Sequence, residues 1–553
     1  MSRDLYELIR RCAIQTRIRY GKADEKLVLG RILSEIPEIR GKRNILRSLR
    51  WIVAEVNIMS VNELDMYWKR IRERVNKLKL PGEPINVVMR FAPNPNGPAT
   101  IGSARGIIVN SEIARNYNGR FILRFDDTDP KTKKPLKEAY NWYIEDCKWL
   151  GAEPDEIYIA SERIPNYYRY AEELIKMGKA YVCFCSREKF KKLRDSKKPC
   201  PHRNQSPKEN LKFWNKMLSR EYEDGECVLK IKTDINNKDP ALRDWTAFRI
   251  ISEEHPRVGR RYVVWPMLDF ESAIEDHILG VTHIIRGKDL MDSEMRQKFI
   301  YQYLNWKYPV TLHWGRIKVH EFGKFSTSEI RKAIERGEYS GWDDPSLPTI
   351  KALRRRGISP DAIRNLIISL GITENDISIS MENLFAENRK VIDSKANRYF
   401  FVPNPVKIIV KNAPEKVLRL PLHPSFSDRG YREFRLKLDS SGDMTLFIPE
   451  EDTKKIKEGE IIRLKDLFNV RISKITDKVI AEYLKEKILT VKKIHWVQSH
   501  LDAEVIMPKQ KVSGFCEPGC SDLAIGDIIQ FERFGFVRLD KKDGKIVFYF
   551  AHR

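Results

Sequence analysis

No apolar run reaches the ~18 residues that a membrane-spanning helix needs, which excludes a transmembrane chain. Eight cysteines in 553 residues are too few for a disulfide-stapled scaffold. The first residues, MSRDLYELIRRCAIQ, are charged and lack the apolar block of a secretory leader. A reducing, cytoplasmic location is therefore expected. No internal repeat or long low-complexity tract is visible. Negative charge is also in short supply: 101 Lys and Arg against 77 Asp and Glu leave a net +24. Such a surplus attracts a polyanion, nucleic acid above all, although a lysine-rich solvated surface gives the same sum. A hydrophobic fraction of 42% supports real cores. The length predicts about three or four domains.

Residues 1–82 read as helical. Leu5, Leu8, Ile9 and Cys12 recur at helical spacing, and Ser60 with Glu63 forms a capping box before a helix ending near Leu78. Residues 83–180 change pattern: an apolar strand at 85–90, a Pro/Asn/Gly loop at 93–98, a helix at 104–117 and a buried strand at 121–125. This begins a parallel α/β sheet, with the loop at the carboxyl end of the first strand, where such sheets bind ligands. Helices at about 135–150 and 164–178 continue it. Residues 181–245 read as an insertion with four cysteines, a second capping box (Ser206, Glu209) and a strand at 227–231. Alternation resumes over 246–345, with strands at 262–265 and 281–285. Helices fill 346–403. From 404 onward short strands follow, at 406–410, 434–438, 444–448, 528–531 and 546–550, with a hairpin turn at Asp543-Gly544. One or two β-barrels are expected there.

Three clusters carry chemistry. The segment 98–103 (PATIGS) leads from strand and loop into a helix whose free N–H groups suit a phosphate, and Gly102 permits close approach; a plain turn is the alternative. Lys324, with Ser326, Thr327 and Ser328 close behind, precedes another helix and suits a triphosphate. Cys183-Phe-Cys185 on a strand places both sulfurs on one face, and Cys200-Pro-His202 completes a possible tetrahedral zinc set, with buried free thiols as the alternative. Cys516 and Cys520 form a lone pair, read as structural. The basic run Arg354-Arg-Arg356 stops at Gly357, where cations also complement a helix dipole.

The first two clusters together carry a family resemblance. Segment 90–103 (RFAPNPNGPATIGS) resembles the first nucleotide signature of the class I aminoacyl-tRNA synthetases, 121–130 (FILRFDDTDP) the strand after it, and 324–328 (KFSTS) the second, mobile signature. Segment 337–345 (GEYSGWDDP) resembles a stretch of the archaeal-eukaryotic branch, and nearly the whole chain resembles archaeal-type glutamyl-tRNA synthetases. The resemblance implies a multidomain protein: a Rossmann-like α/β catalytic domain with an α+β insertion, an N-terminal helical region and C-terminal all-β barrels that bind the anticodon. It implies ATP with Mg²⁺, L-glutamate and tRNA(Glu) as substrates, with tRNA(Gln) as a second candidate, and a zinc that stiffens the insertion gripping the acceptor end.

By matching position, Pro93, Asn94, Gly102, Lys324, Ser326 and Ser328 would bind ATP. Lys324, Thr100 and Ser103 would act on the phosphates. Thr100 and Ser103 stand where the general signature has histidines, so Lys324, the helix N-terminus and Arg105 would supply the positive field. Arg90 and Asp126 would hold glutamate, Asp126 through the ammonium. Arg286, within 280–289 (GVTHIIRGKD), would read the γ-carboxylate bidentately. Arg429-Gly-Tyr-Arg432 and Lys493-Ile-His-Trp496 are cation–aromatic mixtures suited to RNA. The rival reading is a catalytically inactive tRNA-binding paralogue, or a scaffold of a synthetase complex.

Overall fold

The computed structural model describes residues 3–35, 43–60, 63, 64, 66, 78–82, 84–322 and 327–553. Helices Arg3–Tyr20, Glu25–Glu35 and Arg43–Ile58 open the chain. They bury Ile9, Cys12, Val28, Ile32, Leu49, Ile52 and Val56 in one small core, as the helical spacing predicts. The capping box is present: the Ser60 N–H donates to Glu63 Oε2 at 2.7 Å and the Glu63 N–H to Ser60 Oγ at 3.2 Å. Most of the helix expected after it lies outside the described residues.

Strands Val88–Phe91, Arg120–Phe125 and Glu156–Ile159 run parallel in that order. Strand His283–Gly287 pairs in parallel with Val310–Trp314. Thr282 joins the two groups. Its N–H donates to the Val88 carbonyl at 3.1 Å, and its hydroxyl accepts from the Val88 N–H at 2.9 Å. The chain thus moves outward from the first strand, then returns to that strand's other side. The order reverses between Val88–Phe91 and His283–Gly287, and a ligand crevice forms at such a switch point. The reversal places Arg90 and Arg286 on neighbouring strand ends.

The insertion is a four-stranded antiparallel sheet, Ala180–Cys183, Val228–Ile231, Thr246–Ile250 and Val264–Pro266. The last strand corrects the expectation that 262–265 rejoins the parallel sheet. Trp265 and Val264 pair instead with Arg249 and Ile250. A short apolar run does not reveal its pairing partner. The antiparallel sheet that begins at Ala180 therefore runs to Pro266. Its core, around Trp214, Phe248 and Trp265, is shared with helices Ile164–Lys176 and Leu268–Ile278.

Helices Ile350–Arg356, Pro360–Leu370 and Met381–Ile392 connect to two β-barrels. In the six-stranded sheet, Phe447 and Val497 exchange hydrogen bonds of 2.8 and 3.1 Å between opposite edges. In the seven-stranded sheet the two edges are Arg398–Tyr399 and Phe401–Pro403, separated by one residue, so the sheet must curl onto itself. Closure removes exposed edges. The expected strands are present, with 434–438 shifted to Tyr431–Leu436, and Gly544 takes φ +69° in the hairpin turn. Strands such as Asn469–Ile475 and Gln510–Cys516 were not foreseen; a register shift after Ile472 breaks the alternation of the first, and buried Gly514 beside outward Phe515 blurs that of the second. Among the described residues no helix is long and apolar enough to cross a membrane.

Candidate active site

At the switch point three arginines meet two aspartates. Arg90 grips Asp276 with two parallel bonds, Nε to Oδ1 at 3.0 Å and Nη2 to Oδ2 at 3.1 Å. Arg124 is fully buried. It donates from Nε to Asp126 Oδ1 at 2.6 Å, from Nη2 to Asp126 Oδ2 at 3.2 Å and from Nη1 to Asp276 Oδ1 at 2.7 Å. The Ser272 hydroxyl accepts from Arg124 at 3.1 Å and donates to Asp126 Oδ2 at 3.2 Å. Burial opposes ionisation of Asp276, but Arg90, Arg124 and Arg286 outweigh it and hold the carboxyl far below its ordinary range.

Arg286 is buried beside this network. Its Nη2 donates to Gln297 Oε1 at 3.0 Å and to Tyr308 Oη at 3.4 Å, while its buried Nε has no partner. Burial, helped by Arg90, pulls its pKa down. Three guanidiniums thus face two carboxylates; Glu275 and Glu294 lie near but are paired with Arg163 and Lys298, which leaves one positive charge in excess. Glu271 does not cancel it. Burial first, and then Asp126, raise its pKa well above the usual range, and it accepts a hydrogen bond from the Thr128 hydroxyl. Asp127 faces inward instead, held by Tyr140 and Ser161.

The first loop is tied to this network. The Asp126 N–H donates to the Pro93 carbonyl at 3.0 Å, and Asn94 Nδ2 donates to the Asp126 carbonyl at 3.0 Å. Thr100 is the N-cap of helix Ile101–Asn116, accepting from the Ser103 N–H at 3.4 Å. Ser103 Oγ lies 3.4 Å from Tyr143 Oη. A Cβ built on exposed Gly102 would meet only the Thr100 hydroxyl, at 3.6 Å, so nothing inside the protein demands the glycine. Ser328 is exposed in the first turn of helix Thr327–Glu335. Lys324 and Ser326 lie outside the described residues.

Arg105 corrects an expectation. It points away from the loop into the interior, donating to the Gly315 and Gly371 carbonyls at 2.8 and 3.1 Å beneath the Trp314 ring. Arg432 and Trp496 correct another. Both are buried, Arg432 on Glu517 and Glu532 and Trp496 fully within the barrel core, so neither is free to stack on a base.

Cys183, Cys185, Cys200 and His202 converge, with their ligand atoms all within 4.8 Å of one another. Cys200 Sγ lies 3.4 Å from Cys183 Sγ, 3.6 Å from Cys185 Sγ and 3.4 Å from His202 Nδ1. Zn–S bonds of ~2.3 Å in a tetrahedron space the sulfurs about 3.8 Å apart, so the set fits zinc. Beside it, between the insertion and helix Met291–Tyr303, opens a cavity of about 780 Å³ lined by Lys131, Arg187, Arg194, Lys230, Arg249 and Arg296 among others.

Asp276, Arg124, Gln297 and Tyr308 were missed from the sequence. A signal existed for two of them. Arg124 interrupts the apolar run FILRF, and Ser272 and Asp276 share one face of helix Leu268–Ile278 at i, i+4.

Three family descriptions match consecutive parts of the chain. Residues 86–394 match tRNA synthetases class I (E and Q), catalytic domain; 396–488 and 493–540 match anti-codon binding domains of the same class. A glutamate–tRNA ligase of Archaeoglobus fulgidus is 50% identical, covering 99% of this chain and 100% of its own. One from Methanosarcina mazei is 50% identical, covering 99% of each. One from Pyrococcus abyssi is 47% identical, covering 96% and 97%.

Proposed function

The chain belongs to the glutamate–tRNA ligases among the class I tRNA synthetases (E and Q), and from that premise we propose which of its residues carry the two steps. The enzyme joins L-glutamate to tRNA at the expense of ATP, with Mg²⁺ arriving as part of the nucleotide substrate. In the first step a glutamate α-carboxylate oxygen attacks the α-phosphorus, and the bond to pyrophosphate breaks. In the second, a hydroxyl of the terminal ribose attacks the acyl carbon and AMP leaves. Neither step needs a protein nucleophile; alignment and stabilisation of phosphate charge are what the protein supplies.

The excess positive charge beside the unpartnered Arg286 Nε carries the assignment of the pocket. A γ-carboxylate supplies the missing acceptors and balances the charge. A γ-carboxamide would turn an N–H₂ toward a buried donor, which is costly. Arg90, through Asp276, fixes the position of Arg286's neighbourhood. Asp126 takes the ammonium: Arg124 and Ser272 use three of its roughly four acceptor sites and leave one. For ATP, the backbone at Pro93 and Asn94, the open approach at Gly102 and the helix N-terminus after Thr100 form the cradle, with hydroxyls of Thr100, Ser103, Ser326 and Ser328 and the charge of Lys324 on the phosphates.

The basic 780 Å³ cavity supports entry of the tRNA acceptor end along the insertion, which extends to residue 266 in this division. Cys183, Cys185, Cys200 and His202 would hold a zinc ion that cross-links the end of strand Ala180–Cys183 to the turn Pro201–Asn204. Purified protein is expected to contain about one zinc per chain. A Cys183→Ser, Cys200→Ser double variant should lose the metal and melt at lower temperature; a metal-free native preparation with unchanged melting counts against the site. The remaining divisions (1–82 helical, 346–403 connecting, 404–553 anticodon-binding) and a cytoplasmic location complete the reading.

The decisive assay is glutamate-dependent ATP–pyrophosphate exchange with tRNA present, together with charging of tRNA(Glu) and tRNA(Gln) by labelled glutamate and glutamine. Charging of tRNA(Glu) with glutamate alone is expected. Neither exchange nor charging would favour the inactive, RNA-binding relative.

A further inference from the structure

Arg286, the residue proposed to meet the γ-carboxylate, is buried, yet its hydrogen-bond partners among the described residues are both neutral. Gln297, on helix Met291–Tyr303, is 2% exposed. Its Oε1 accepts from Arg286 Nη2 at 3.0 Å and from the Tyr308 hydroxyl at 2.8 Å. A guanidinium only donates, so the oxygen and not the nitrogen of the amide must face it, and two donors fill the two lone pairs of that oxygen. Burial pushes the Tyr308 phenol up to about 12, so its hydroxyl keeps the proton it donates.

The carboxylates close enough to serve Arg286 are engaged elsewhere. Asp276 is bound by Arg90 and Arg124. Glu294, three residues before Gln297 on the same helix, pairs with Lys298 at 2.6 Å and lies 2.9 Å from His313 Nε2. The place nearest to Arg286 is therefore held by an amide, although a buried arginine is ordinarily paired with a carboxylate. An amide fixes the guanidinium in space without neutralising it.

We propose that Gln297 is a positioning residue that sets the charge selectivity of the amino-acid pocket: as a neutral acceptor it orients Arg286 and leaves one positive charge for the substrate side chain. The inference rests on the glutamate pocket proposed above and deepens it. With Gln297 in place, the pocket reaches neutrality only when a γ-carboxylate enters. In a Gln297→Glu variant three guanidiniums would face three carboxylates. A γ-carboxylate would then be an uncompensated buried charge, whereas a γ-carboxamide would bring none. Replacing one NH₂ by O⁻ beside Arg286 would thus reverse which substrate the site accepts.

The test measures by calorimetry, on the full chain with a tRNA(Glu) transcript present, the affinities of glutamyl- and glutaminyl-sulfamoyl adenosine. These non-hydrolysable adenylate analogues differ only at the γ-position, so the ratio of their affinities isolates the pocket. The native protein is expected to favour the glutamyl analogue by about 100-fold or more. Gln297→Glu should bring the ratio to about one or below, chiefly by weakening the glutamyl analogue. Gln297→Met removes the acceptor at similar volume and adds no charge. It should weaken the glutamyl analogue by about tenfold and the glutaminyl analogue far less, leaving a reduced preference. A merely structural role would weaken both analogues alike in either variant, and that result overturns the proposal. So does a native ratio that persists in Gln297→Glu with an unchanged melting temperature. If Gln297→Glu folds poorly, Gln297→Met decides by the same comparison. A native protein with no preference between the analogues would instead refute the glutamate pocket itself.

Discussion

Replacing Arg286 by alanine is expected to raise the glutamate requirement by about 10²–10³-fold, with the ATP requirement within about threefold of native. The magnitude is that of removing one partner of a desolvated, hydrogen-bonded charge pair, about 3–4 kcal/mol. The asymmetry follows from position. Arg286 contacts Gln297 and Tyr308 and borders Arg90, whereas the nucleotide cradle proposed above draws on Pro93, Asn94 and the helix after Thr100. Arg286→Lys separates charge from geometry. An ammonium keeps the excess positive charge but not the planar fork, so it should recover only part of the loss. Steady-state exchange kinetics with each substrate varied in turn make the measurement. Equal increases in both requirements would remove Arg286 from the glutamate pocket.

Asp276→Asn is expected to destabilise the catalytic domain by about 3–5 kcal/mol, as breaking a buried ion pair from one side does. Arg90 and Arg124 would lose their shared counter-ion, with Arg286 close by, and all three are buried. The pH dependence has a definite sign. Asp276 titrates far lower folded than its unfolded value of about 3.9, so the unfolded chain binds the proton more readily. Its contribution is complete above that unfolded value and is lost as pH falls toward the folded one. The native protein should therefore lose stability more steeply below about pH 4 than the Asn variant. Denaturant unfolding across pH reads this directly. Parallel acid limbs in the two proteins would remove Asp276 from the network. A well-folded Asn variant should also require more glutamate, because Arg90 would no longer be held by two bonds.

Parts of the site were legible because their signals are local. Cys183, Cys185, Cys200 and His202 span twenty residues, and a strand followed by a turn suffices to bring them within 4.8 Å. The boxes at Ser60 and Ser206 need only one helical turn each, whereas the cap at Thr100, which starts its helix three residues earlier than expected, came from the structure. The mistakes share the opposite cause. Arg105 looked like a cation beside a phosphate loop, yet one residue of rotation along a helix, about 100°, turns a side chain from ligand to core. Trp496 and Arg432 looked like an RNA surface because a cation beside an aromatic reads as solvated, and the partners that bury them, the barrel core around Trp496 and Glu517 and Glu532 on Arg432, are distant in the chain.

From the order of residues alone came the helical start, the strand–loop–helix that opens the parallel sheet, the convergent Cys/His set and the strand-rich C-terminal part, and, through the resemblance of its motifs, the family. All but the family rest on periodicity, capping or spacing over a few residues, where backbone geometry limits the outcomes. The tertiary structure alone decided that Asp276 balances Arg90 and Arg124, 186 and 152 residues away, and that Arg356 holds a strand 195 residues distant. An isolated charge in a sequence is read as solvated. Only long-range packing, by withdrawing water, leaves another charge as its necessary partner.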